Sequence, residues 1–256
     1  MTDKNNQAIE TGVLKLIHRR RAGSIEYQQI ISSISHELRT PVAILKSNIQ
    51  FIKEFSSDME PDIKDESISM CEESIESIVA FLDNIQLINK AAKSQITPSF
   101  SLLKQKNLLQ QVNVELEKQN LNYKRISVHL STPLSEIYSD PMLIKQILLN
   151  LCTNALKFSS GEVNLFLKTT SHEFIIKIQD SGIGIPEEET DLVFNPFHRA
   201  ANARRIPGYG LGLAIVSSLT DYLGGKIYQS SIVGQGTSFK IIIPCETGLS
   251  KTESML

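Results

Sequence analysis

Apolar residues in the first third of the chain recur at alternating steps of three and four. Ile31, Ile34, Leu38, Pro41, Leu45, Asn48, Ile52 and Phe55 trace one such seam, and Ile68, Cys71, Ile75, Ile78, Leu82 and Ile85 trace a second. A period near 3.5 marks a helix with one stripe turned to a neighbouring helix. Between the seams, SSDMEPD (Ser56–Asp62) gathers turn formers and a proline. The pattern predicts an antiparallel helical hairpin over residues 24–92, preceded by a lead-in segment over residues 1–23 that is polar apart from Val13–Ile17. One hairpin covers one side of each seam. Two hairpins packed as a four-helix bundle cover both, so a homodimer is expected.

The period fades at AAKSQITPSF, where Pro98 marks a boundary, and the elements then mix. SLLKQKNLLQQVNVELEKQN predicts a helix and RISVHLS a strand. DPMLIKQILLNLCTNALKF predicts a helix with Asp140 as N-cap and Pro141 in its first turn. EVNLFLKTT and EFIIKIQD alternate as the strands of a hairpin, and GLGLAIVSSLTDYLGG reads as a helix ended by its glycine pair. KIYQSSIV and TSFKIIIP form a closing hairpin around GQG. The expected fold class is α+β: the helical hairpin, then an α/β sandwich over residues 97–246, with residues 247–256 as a disordered tail.

Composition narrows the function classes. With 41% hydrophobic and 21% charged residues, the 256-residue chain is ordinary for a globular protein, and a net charge of −2 argues against nucleic-acid binding. Cys71, Cys152 and Cys245 sit among apolar neighbours without paired spacing, which points to buried thiols in a reducing compartment. No run approaches the roughly 20 apolar residues of a membrane span, and MTDKNNQAIE lacks a signal core. A cytoplasmic location is expected. HRRR (His18–Arg21) would suit a membrane-adjacent position if this is the excised core of a membrane-bound parent.

The first candidate chemistry lies in SISHELRTPVA, Ser33–Ala43. His36 is two residues from seam positions on either side, so it faces away from the buried stripe. Most helical histidines are plain surface residues, but these neighbours argue for more. Glu37 can hold the ring in one tautomer and leave the other nitrogen free to attack. Pro41 removes the N–H that would bond the Glu37 carbonyl, so a kink is expected one turn from the histidine.

The second lies downstream. Asn150, Asn154 and Lys157 share one face of a helix that is otherwise leucine and isoleucine. Amide oxygens suit Mg²⁺ and a lysine suits a phosphate, although a polar outer helix face would read the same way. In DSGIGIP, Asp180 ends a strand and Gly182 and Gly184 let backbone approach a flat ligand; a carboxylate there can accept from an exocyclic amine. In GYGLGLA, Gly208, Gly210 and Gly212 precede a helix whose first N–H groups can receive phosphate oxygens.

SHELRTP resembles the H box of bacterial two-component sensor histidine kinases. The ordered set of the asparagine helix, DSGIGIP, VFNPF, GYGLGLA and GQGTSF is similar to the N, G1, F, G2 and final glycine boxes of their ATP-binding domain, whose fold is shared with gyrase, MutL and heat-shock chaperone ATPases. The resemblance runs from about Ser24 to Glu246. It implies that His36 is the phospho-acceptor, that Glu37 is its acid/base partner, and that Thr40 positions water when a phosphorylated partner is hydrolysed. It implies ATP and Mg²⁺ as cofactors, with Asn150 and Asn154 holding the metal and the phosphates. Lys157 would lie nearby, Phe158 would lie against the nucleotide, and Asp180 would read the adenine amine. Gly182, Gly184, Gly208, Gly210, Leu211, Gly212 and Thr237 would complete the pocket. HRAANARRIPGY (His198–Tyr209) would be the lid, with Arg199 for the γ-phosphate ahead of Arg204 and Arg205. The implied partner is a response-regulator receiver domain. Two departures stand out: Tyr209 occupies a position where many relatives carry threonine, and the lid is short.

Three other functions fit parts of this pattern. A degenerate ATP-binding scaffold would bind nucleotide without transferring phosphate. A net phosphatase of the receiver would depend on Glu37 and Thr40. An ATPase of the gyrase type would have no use for the histidine hairpin.

Overall fold

The structure is a computed structural model and describes residues 31–55, 59–131 and 136–247. The expected lead-in segment and the start of the first helix lie outside the described residues. The chain divides into two compact units, Met1–Phe81 and Leu82–Leu256, with the division inside the second helix.

The first unit carries the hairpin. Helix α1 covers residues 31–55 and α2 runs Pro61–Ala92. α1 passes unbroken through Pro41, which is buried. The two helices meet where Cys71 Sγ lies 4.0 Å from the Leu45 carbonyl oxygen. In the single chain Cys71, Ile78 and Ile85 of the expected seam are covered, together with Ser67, Ser74, Phe81 and Ala91, whereas its Ile68, Ile75 and Leu82 are exposed. Serine fits the covered stripe because its hydroxyl is satisfied locally, as Ser74 Oγ donates to the Met70 carbonyl at 2.7 Å.

The second unit is a two-layer sandwich. Its main sheet has the order β2-β4-β5-β7-β6, from β2 (Ile126–Leu130), β4 (Val163–Thr169), β5 (Glu173–Gln179), β6 (Lys226–Ile232) and β7 (Gly236–Pro244). β2 and β4 run parallel and the other neighbours antiparallel. Alternation sets the faces. Val163, Leu165, Leu167, Phe174, Ile176, Ile178, Phe239, Ile241 and Ile243 are buried. On the opposite face Lys177 stands over the Phe166 ring and Lys240 over Tyr228.

The helical layer comprises α3 (Gln105–Lys118), α4 (Pro141–Phe158) and α5 (Gly212–Tyr222). α4 lies at its centre, packed on α3 and α5, with Ile144, Ile147, Leu148, Leu151 and Cys152 fully covered. Burial pushes the Cys152 thiol up to about 12, so this cysteine is a small apolar core residue. Asp140 caps α4 as expected, its Oδ1 accepting from Met142 N at 2.9 Å and Leu143 N at 3.1 Å. Its Oδ2 also accepts from Ser99 N.

Three elements depart from expectation. The segment read as one helix from Ser101 begins as strand β1 (Ser101–Lys104), and α3 starts at Gln105. β1 pairs antiparallel with β3 (Glu136–Ser139), which pairs with β8 (Glu246–Thr247), forming a small second sheet. These strands are too short for their pairing to register as a period in the sequence. β8 takes in the first residue of the segment read as a tail, and the rest of that segment lies outside the described residues.

Candidate functional site

In the first unit, His36 stands on α1 with its side chain 75% exposed, and its Nδ1 is 3.6 Å from Glu37 Oε1. Nε2 is the ring nitrogen on the other side of the imidazole. Thr40, one turn on, is also exposed.

In the second unit, the candidate residues gather around the ends of α4, β5 and β7 and the start of α5. Asn150 Nδ2 donates to the Gln146 carbonyl one turn back at 2.8 Å, which fixes the amide so that its oxygen remains available. Gly212 opens α5 directly against this pair. A Cβ at Gly212 would stand 3.2 Å from Asn150 Oδ1 and 3.4 Å from both Oδ1 and Nδ2 of Asn154. Leu211, the buried residue before α5, gives no side-chain cap, so the first N–H groups of α5 have no side-chain partner from that position. A helix N-terminus beside two amide oxygens can bind phosphate and share a hard cation with it.

The other wall is built on Asp180. Its carboxylate accepts from Gly182 N at 2.8 Å, and the Thr237 N–H also donates to it. Burial raises its pKa above the ordinary aspartate value, and these two backbone bonds oppose the rise. Asp180 N donates in turn to the Thr237 carbonyl at 3.0 Å, joining the ends of β5 and β7. Thr237 is buried, and its hydroxyl lies 2.8 Å from Ser231 Oγ, which accepts from Ile185 N and faces the Gly236 carbonyl. Gly184 needs to be glycine: its φ is +67° and a Cβ would overlap the Ile232 carbonyl oxygen.

Phe158 closes α4 and touches the same loop, its carbonyl accepting from Ile183 N at 3.1 Å. Its ring packs with Ile183, Ile185, Phe194 and Leu213 against buried Val193, Ala200 and Ala203. This cluster is an apolar floor suited to a flat ring. Lys157 is exposed on the last turn of α4, yet packing around its ammonium lowers its pKa from the lysine range. Gly210 accepts from Phe197 N at 3.0 Å, and Phe197 holds the left-handed φ of +67° that a non-glycine residue rarely adopts. Gly208 lies exposed at the far end of the lid. Arg199 Nη2 is turned inward, donating to the carbonyls of Ala203 at 2.9 Å, Arg204 at 3.2 Å and Ile206.

Sequence reasoning missed Arg125. Its guanidinium donates to the carbonyls of Leu156, Ser159 and Gly161, and so fastens the C-terminal end of α4. A lone arginine at the start of a strand carries no spacing that would have revealed this. Ser231 was missed for the same reason.

Residues 26–92 match the family model described as the His Kinase A (phospho-acceptor) domain, and residues 139–247 match the histidine kinase-, DNA gyrase B- and HSP90-like ATPase. The chain belongs to the two-component sensor histidine kinases. It is 30% identical over 252 residues to the sensor protein kinase WalK of Staphylococcus epidermidis, and 27% identical over 247 residues to WalK of Staphylococcus aureus. These alignments take in 92% of this chain, but only 40% and 59% of the two relatives. Among solved structures, the histidine kinase AdeS of Acinetobacter baumannii aligns with a TM-score of 0.62 at 26% identity, covering 82% of this chain and 97% of that one.

Proposed function

We propose that this histidine kinase uses ATP to phosphorylate His36 and passes the phosphoryl group to an aspartate of a response-regulator receiver domain. Residues 24–92 act as the dimerisation and phosphotransfer domain and residues 97–246 as the ATP-binding domain. The observation that carries the reading is Gly212 at the start of α5, set against the side-chain oxygens of Asn150 and Asn154.

The donor set suits Mg²⁺. Amide oxygens of Asn150 and Asn154 are hard donors of the kind Mg²⁺ takes, and the phosphates would supply further oxygens. Bound Mg²⁺ would neutralise charge on the phosphates during transfer. Asn150 and Asn154 would hold it, and the α5 N–H groups and Lys157 would orient the phosphates. Asp180 accepts from the adenine amine, Phe158 and its cluster cover the ring face, and Thr237, Gly182 and Gly184 shape the edge. Arg199 organises the lid; direct contact with the γ-phosphate requires its bonds to lid carbonyls to be shared.

At His36, Glu37 lies on the Nδ1 side of the ring, where its charge favours a proton on Nδ1 and leaves the Nε2 lone pair as the nucleophile. Nε2 bonds to the γ-phosphorus as the bond to the ADP oxygen breaks, and Glu37 stabilises the positive charge that develops on the ring. In the second step the receiver carboxylate attacks the same phosphorus, and the imidazole leaves with its lone pair on Nε2.

Exposed apolar side chains on the hairpin, Ile68 and Ile75 among them, support a homodimer. Among the described residues no helix is long and apolar enough to cross a membrane. With ATP as substrate, the chain works on the cytoplasmic side.

The test is incubation with Mg²⁺ and γ-labelled ATP. Acid-labile, alkali-stable label should appear on wild type and be absent from His36→Gln and Asn154→Ala. Equal labelling of His36→Gln would sink the assignment.

A further inference from the structure

The foot of the lid is tied down by side chains outside the family boxes quoted above. Glu189 Oε2 accepts from Ala201 N at 2.9 Å, and its Oε1 lies 3.9 Å from His198 Nε2. Asn202 Nδ2 donates to the Gly184 carbonyl at 3.0 Å. Gly184 belongs to the loop that begins at Asp180, and Glu189 to the turn that follows it. Between these ties, Ala200 and Ala203 are buried in the apolar cluster that includes Phe158 and Ile183. Arg199 then draws the carbonyls of Ala203, Arg204 and Ile206 together. This short lid is therefore folded around its own arginine and anchored at one end. Its other end, Pro207–Gly208, is exposed, and a Cβ at Gly208 would meet nothing within 4 Å.

We infer that Glu189 and Asn202 are positioning residues that fasten the lid to the Asp180 loop, so that its foot stays fixed while its exposed Pro207–Gly208 end is free to move. The consequence for substrate rests on the kinase reading above. The Asp180 loop meets adenine, which ATP and ADP share, and the lid is needed for the γ-phosphate. Loosening the foot therefore weakens ATP more than ADP.

Two measurements test this. The first needs no nucleotide. Arg204 and Arg205 are exposed in the lid, so trypsin cleavage there, mapped by mass, reports how well the lid is held. Glu189→Ala and Asn202→Ala should be cut about fivefold faster than wild type, the scale expected for one lost hydrogen bond. Glu189→Gln keeps an acceptor for Ala201 N and should be cut at a rate nearer wild type. Unchanged cleavage in both alanine variants would overturn the latch.

The second compares affinities. Loss of a charge-assisted bond should raise the Kd for ATP about tenfold in Glu189→Ala, with the Kd for ADP within about twofold and the unfolding temperature unchanged. Equal weakening of both nucleotides would overturn the coupling to the lid. Asn202→Ala carries the test if Glu189→Ala folds poorly. If the wild-type chain bound neither nucleotide, the kinase reading would fail, and the cleavage rates would still decide the latch.

Discussion

Asn150 and Gln146 stand one turn apart on α4, and the side-chain amide of the first donates to the backbone carbonyl of the second at 2.8 Å. The bond leaves Asn150 with an outward oxygen and no freedom to flip. Asn150→Asp keeps two oxygens but has no donor for that carbonyl, so the side chain loses its orientation. The expected result is a fall in His36 labelling of about tenfold or more, the range typical for disturbed metal-site support. Gln146→Ala keeps the backbone carbonyl and should label within about twofold of wild type, since it alters no hydrogen bond of the pair.

Arg125 gathers the carbonyls of Leu156 in the last turn of α4 and of Ser159 and Gly161 just beyond it. A guanidinium there satisfies acceptors that the helix leaves open and complements its dipole. Arg125→Met should lower unfolding free energy in urea by about 2 kcal/mol, because hydrogen bonds to a charged group are lost together. Arg125→Lys should recover less than half, since an ammonium cannot span carbonyls so far apart along the chain. Nucleotide affinity should fall alongside stability, because Phe158 and its carbonyl hang on the same helix end. A destabilised variant with undiminished affinity would contradict this.

The Asp180 carboxyl titrates above the ordinary value because burial outweighs its bonds from Gly182 and Thr237. The sign for stability follows from the direction. From the unfolded value of 3.8 up to the raised folded value, the unfolded chain ionises first, so unfolding free energy falls as pH rises through that window. Above it the cost stays in place. Asp180→Asn removes this cost, so at neutral pH the ligand-free variant should be at least as stable as wild type. Binding moves the other way: the adenine amine bonds more strongly to an ionised acceptor than to a neutral one, so wild-type nucleotide affinity should drop as pH falls through the Asp180 pKa. Asp180→Asn, a neutral acceptor throughout, should bind less tightly than the ionised wild type and show no pH dependence from this site. Denaturation and nucleotide titration across pH check both arms.

The legibility of the sequence varied with the physical signal. α4 was plain because Asp140, Pro141 and eight buried apolar residues agree on one helix. The hairpin of β4 and β5 was plain because each strand alternates over seven residues. β1 was hidden because four residues, SLLK, run straight into a helix with no breaker between. On α2 the hidden part was the serines: hydrophobicity marks Cys71, Ile78 and Ile85, which are covered, while Ser67 and Ser74 are buried without a hydrophobic signal, Ser74 with a local hydrogen bond. The glycine boxes announced the nucleotide loop. Glu189, Asn202 and Arg125 act through backbone partners far along the chain, and no local spacing encodes such partners.

The exposed half of the α2 seam leads to a prediction for the hairpin. Ile68 and Ile75 lie seven residues apart on α2, and Ile75 is 51% exposed in the single chain. Full burial of such a side chain is worth about 1.5–3 kcal/mol, so a row of them left in water disfavours the monomer. Their stripe is separate from the covered Ser67, Cys71, Ser74 and Ile78. A charge on it therefore strikes the face offered to a second chain without entering the hairpin. Ile75→Asp should convert the homodimer to monomer in sedimentation velocity, with helical content by circular dichroism within a few per cent of wild type. Loss of helicity together with dimerisation would show that Ile75 supports the hairpin itself. A dimer that survived the aspartate would show that the second chain docks elsewhere.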